Sequence, residues 1–72
     1  MRYELYFKNI YDGQQILIGS YLSDEEARAV MVKEIKSKGF TPYYYRMWES
    51  TPGETTIDFG SHSCFYVIKR VN

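Results

Sequence analysis

The residues with the most chemical potential lie close together near the C-terminal end. Asp58, Ser61, His62, Ser63 and Cys64 bring a carboxylate, two hydroxyls, the single histidine and the single cysteine into seven positions. A Ser–His or Cys–His catalytic pair needs side chains that converge from separate segments, with a third group orienting the base. Neighbours along one short loop do not converge in that way. The pattern therefore predicts a turn, in which the serine hydroxyls and the imidazole bond nearby backbone groups. One histidine and one cysteine without further ligands do not build a zinc site, and one cysteine allows no intrachain disulfide. Asp58-Phe59-Gly60 matches the kinase metal-binding triplet by letters only, because the glycine-rich and catalytic loops are missing. No catalytic residue, metal or cofactor is expected, and the chain does not read as an enzyme.

The second chemical feature is aromatic load: eight Tyr, four Phe and one Trp in 72 residues. Aromatic side chains suit half-buried strand surfaces, and tyrosine is enriched where a surface binds a partner. Nine basic residues balance nine acidic ones. Zero net charge argues against a dedicated nucleic-acid binder, whose affinity rests on neutralising phosphates. Arg28, Lys33, Lys36 and Lys38 are interleaved with Glu25, Glu26 and Glu34, which makes a solvated mixed-charge helix face rather than a phosphate site.

The elements that position these residues read as one domain over residues 1–72. A helix is expected over residues 23–39. Ser23 and Glu26 have capping-box spacing, acids cluster at its start and lysines at its end, and Gly39 stops it ahead of Pro42. Ala27, Val30, Met31 and Ile35 form its apolar stripe. Glu34 falls at the edge of that stripe, either reaching solvent or meeting a tyrosine hydroxyl or Arg46 on the sheet.

Before the helix, residues 3–22 read as a hairpin closed by a two-residue type I′ turn at Asp12-Gly13. That register sets Phe7 opposite Ile18 and Leu5 opposite Ser20. Tyr3, Leu5, Phe7, Ile16, Ile18 and Leu22 then form the core face, with Tyr6, Leu17 and Tyr21 on the other. After the helix, residues 41–49 and 55–59 read as strands around a type II turn at Pro52-Gly53. A two-residue loop would pair Trp48 with Ile57 and Arg46 with Phe59. Residues 60–63 make a break. Residues 64–71 are apolar on both faces, as in a central strand or one covered by a partner.

The fold class is therefore α+β, ββαβββ, an antiparallel sheet with a single helix packed on one face. A helix of this length covers only one face of such a sheet. The opposite face is expected to show Tyr6, Tyr21, Tyr43, Tyr45 and Tyr66, and large apolar patches are rarely left uncovered. These tyrosines, with His62, are the candidate binding residues. The expected partner is a host protein or a second copy forming a homodimer. The alternative is a nucleic acid or nucleotide, with bases stacked on Tyr43, Tyr45, Trp48 or Tyr66 beside Lys69 and Arg70. The first residues lack the apolar run of a signal peptide and no segment is long enough to span a membrane. A cytoplasmic setting with no membrane partner is the expectation.

Two stretches carry family resemblances. The run Ile18-Gly19-Ser20-Tyr21, Ser23 to Ala27 and Lys36-Ser37-Lys38-Gly39-Phe40-Thr41-Pro42-Tyr43 resembles the first half of a SPOR domain, the peptidoglycan-binding module of cell-division proteins. Residues 50–72 lack the helix pattern of a second half, so the resemblance implies shared local geometry rather than shared function. The run from Thr56 to Ile68, with Asp58-Phe59-Gly60-Ser61-His62 ahead of an aromatic strand, resembles small uncharacterised phage and prophage proteins of Gram-positive bacteria. That resemblance implies a phage-type origin and no known activity, with Asp58, Gly60, Ser61 and His62 as a shared structural turn or a binding loop. Small phage proteins commonly act by binding a host protein, so the expected function is that of a non-enzymatic phage-type accessory protein, with inhibition of a host enzyme or defence system as one form.

Overall fold

The computed structural model describes residues 1–42, 44–61 and 63–72. It contains β1 (Arg2–Asn9), β2 (Gln15–Tyr21), α1 (Asp24–Ser37), β3 (Arg46–Thr51), β4 (Glu54–Asp58) and β5 (Cys64–Val71). The five strands form one antiparallel sheet in the order β2-β1-β5-β4-β3, with the helix on one face. The strand that is apolar on both faces, β5, is the central one, paired with β1 on one side and β4 on the other.

Helix α1 forms where the caps place it. Ser23 has extended backbone angles, and its hydroxyl accepts the Glu26 N–H at 3.1 Å. Asp24 and Arg28 form an i,i+4 ion pair of 2.7 Å, which contributes little because both side chains are exposed. At the far end the Gly39 N–H bonds the Lys36 carbonyl and the Phe40 N–H bonds the Ile35 carbonyl, at 3.0 and 3.3 Å. This is a Schellman closure, and it requires the left-handed φ of 77° that Gly39 adopts. Ala27, Met31 and Ile35 are buried by it, against Leu5 of β1, Ile57 of β4, Phe59, and Tyr66 and Ile68 of β5. Truncating a fully enclosed side chain such as Leu5 to alanine costs roughly 2–5 kcal/mol.

Both hairpins correct the expected register. The first loop spans four residues, Ile10 to Gly13, between Asn9 and Gln14 rather than two. The Asn9 side chain accepts the Tyr11 N–H at 2.9 Å, Asp12 accepts the Gln14 N–H at 3.0 Å, and the Gly13 N–H reaches the Asn9 carbonyl at 3.0 Å. Asx turns of this kind compete with a tight hairpin. Phe7 therefore faces Ile16, and a bulge between Leu5 and Tyr6 leaves Ile18 as the extra residue of β2. Past the bulge Leu5 faces Gly19 and Tyr3 faces Tyr21. Ile18 and Tyr21 consequently pack against the core, while Ile16 and Leu22 are exposed at 59% and 71%.

The second hairpin keeps the Pro52-Gly53 turn, with Gly53 at the φ of 82° that a type II turn demands at its third residue. Such a turn splays its strands, and the chain answers with a bulge at Ser50 that restores the twist. Trp48 thus faces Thr56, and Arg46 faces Asp58. The strand begins at Arg46, so Thr41, Pro42, Tyr44 and Tyr45 lie before it.

Gly19 has a packing role. A Cβ at this position would fall within 2.7 Å of Tyr21 Cζ, so the tyrosine ring rests on the space the glycine leaves. Gly19→Ala should cost about 1–2 kcal/mol by expelling that ring from its seat. In a Tyr21→Ala background the same change should cost only tenths. Urea denaturation of the four-member cycle measures this, and a Gly19→Ala variant as stable as the parent would refute it.

Candidate functional site

The register fixes which side chains share the face away from the helix. Leu17 pairs with Tyr6, Tyr6 with Val67, Val67 with Thr56, and Thr56 with Trp48. One residue from each of the five strands therefore stands in a single transverse row, spanning roughly 19 Å at about 4.8 Å per strand. Phe65 adds to the row from the next position on β5, its ring edge-on to Trp48 with centroids 6.4 Å apart. Val67 at its centre is 2% exposed, whereas Leu17 and Trp48 at its ends are 52% and 46% exposed.

Charged residues flank the row. On one side Lys69 lies between Glu4 and Glu54, its partners on the adjoining strands. On the other side stand Lys8, opposite Phe65, and Arg46, opposite Asp58. Tyr6 is fixed within this frame. Its hydroxyl donates to Glu4 Oε1 at 2.8 Å, and the Lys69 ammonium lies 4.6 Å from its ring centroid. The hydrogen bond to Glu4, then partial burial, then the charges of Glu4 and Glu54 raise the Tyr6 pKa. The phenol therefore stays a neutral donor, and its ring is held as a rigid platform.

The expected tyrosine face is only partly of this composition. Tyr6 lies on it. Tyr66 does not: it is fully enclosed beneath the helix, stacked edge-on with Phe7 at 5.4 Å and tilted against Phe59 at 5.3 Å. Pairing of Leu5 with Ile68 puts residues 64, 66 and 68 on the helix side. Tyr21 is also on that side, through the β2 bulge. Tyr45 is 38% exposed and precedes β3. Tyr43 and His62 lie outside the described residues. Phe65 and Val67 take the places expected of the tyrosines. The signal for them was Lys69, a solvent-side residue that shares its strand parity with 65 and 67. Arg70 faces the helix side, so it does not join Lys69 on one surface; it lines a groove with Asp24, Arg28, Glu49 and Thr55.

The loop before β5 is a turn in its described part. Asp58 Oδ1 accepts the Gly60 N–H at 2.9 Å, and Ser61 Oγ accepts the N–H groups of Ser63 and Cys64 at 3.4 and 3.2 Å. These acceptors are spent on backbone. Among the described residues no group of three or more His, Cys, Asp or Glu is placed to hold a metal ion. No helix among them is long and apolar enough to cross a membrane. Compared with known proteins, the chain matches no family model, no curated protein and no solved structure.

Glu34 acts on the core at a distance. Burial first, then the charges of Glu34 and Cys64, push the Tyr66 pKa from 10.0 up to about 12. The folded chain thus holds the neutral phenol, and the stability linked to it is complete below pH 10 and lost as pH rises towards 12. The loss should be roughly 2–3 kcal/mol. Tyr66→Phe removes this dependence. Urea unfolding of both proteins below pH 10 and near pH 12 tests it, and parallel losses in the two would disprove the assignment.

Proposed function

We propose that the protein is a small non-enzymatic binding protein of the phage-type accessory class, engaging a host protein through the sheet face opposite the helix. The carrying observation is the five-strand row Leu17–Tyr6–Val67–Thr56–Trp48, joined by Phe65 and flanked by unlike charge. Buried aromatic anchors near the centre of a contact supply most binding energy. Charged rims supply approach rate and register. One flank here has two acids to one base and the other two bases to one acid. The partner surface that fits is an apolar ridge with a basic margin on one side and an acidic margin on the other. The resemblance of residues 56–68 to small phage proteins supports the same class, inhibition of a host enzyme or defence system being one form of it.

Base stacking on Trp48 and Phe65 beside Lys69 is the competing chemistry. Glu4, Glu54 and Asp58 stand among those residues and repel phosphates.

The test is recovery from a Gram-positive host lysate, with nuclease present, on immobilised wild type, Trp48→Ala and Tyr11→Ala. Tyr11 is 83% exposed and lies in the loop between β1 and β2, so it controls for a general loss of surface aromatics. A stoichiometric protein held by wild type and Tyr11→Ala should bind Trp48→Ala at least about tenfold more weakly. Recovery that ignores Trp48, or that nuclease abolishes, would overturn the proposal. A dimer in light scattering that Trp48→Ala disperses would make a second copy the occupant instead.

A further inference from the structure

On the helix side a second feature is independent of that face. The Schellman closure turns Phe40 back onto Ile35, the contact that usually accompanies this motif. Phe40 then meets Phe59 edge-on, with centroids 5.4 Å apart at 89°. Phe59 leans on Tyr66 and Tyr66 on Phe7, so four rings form a continuous arc from the helix C-terminus to β1. Within this arc lies a cleft of about 180 Å³, lined by Phe7, Ile35, Phe40, Phe59 and Cys64, with Lys38 and Ser61 as its polar members.

Lys38 gives the cleft its charge. Its ammonium sits 3.7 Å from the Phe7 centroid and donates to Tyr66 Oη at 3.4 Å. Among the described residues it forms no ion pair with a carboxylate. A cation already over the rings disfavours a second cation, so a charged guest is an anion. The helix-end carbonyls of Glu34, Ile35 and Lys36 are bonded to backbone N–H groups, which blunts the negative end of the helix dipole. Drug-sized ligands occupy roughly 300–1,000 Å³. The smaller space here suits a single ring or a short chain.

We infer that this cleft binds a small carboxylate with an apolar body, such as an arylacetate. The apolar body lies among Phe7, Phe40 and Phe59, and the carboxylate accepts a charge-assisted hydrogen bond from Lys38 Nζ.

Phenylacetate is the probe, titrated into the whole chain and followed by backbone amide shifts. Shifts should concentrate at Phe7, Phe40, Phe59 and Cys64 and leave Trp48 unmoved. Phenylacetamide, which keeps the ring and loses the charge, should bind roughly tenfold more weakly. Lys38→Met should weaken phenylacetate by a similar factor, and Lys38→Arg should restore most of it. Thermal melts establish that the variants are folded. No shifts at millimolar phenylacetate, equal binding of the amide, or full affinity in Lys38→Met would each overturn the inference. Failure here leaves the open sheet face untouched, because Trp48 and Tyr6 take no part.

Discussion

The pairing of β5 with β1 holds this protein together. It joins Arg2 to Val71 and Asn9 to Cys64, so the two ends of the chain are neighbours over eight rungs of one ladder. Each hairpin alone is a two-stranded unit, which is marginal in water. Only when β5 enters between them does a sheet exist that is wide enough to carry a helix. The central strand also supplies both layers at once: Tyr66 and Ile68 beneath the helix, Phe65 and Val67 on the open face. Closing so long a loop carries an entropic cost before the contacts it brings can repay it.

The placement of β5 explains why the two faces differ. Below the helix the rings of Phe59 and Tyr66 are enclosed, with Phe7 half-buried against them, and they define a shape. On the other face the row is buried at Val67 and wet at Leu17 and Trp48. A surface that is ordered in the middle and exposed at the ends offers little rearrangement to a partner. Tyr6 illustrates this, since Glu4 and Lys69 hold it before anything binds.

Much of this was legible in the residues. The helix, its caps and its buried stripe followed from spacing, as did five strands. Two apolar faces left residues 64–71 either central or covered by a partner, and the sheet order makes them central. The registers did not follow, and the reasons are local. Asp12-Gly13 signalled a tight turn, but Asn9 could bond the backbone ahead of it and open the loop. At Pro52-Gly53 the turn type was readable, while the bulge that relieves it at Ser50 has no residue signature of its own. A one-residue slip reverses which face a side chain takes, and that is how Tyr21 came to be assigned to the wrong surface. Tyr66 was misplaced because β5 is apolar on both sides, which removes the alternation that fixes parity. Lys69 was the remaining marker.

The two bulges have a consequence beyond register. β2 and β3 are the unpaired margins of the sheet, and each is interrupted, at Ile18 and at Ser50. A broken margin is a poor template for an incoming strand. A chain so rich in aromatic β-formers, with six exposed residues along β3, would otherwise be an open invitation to fibril growth. The irregularities that shift both hairpin registers thus also make the two margins poor templates for a sixth strand.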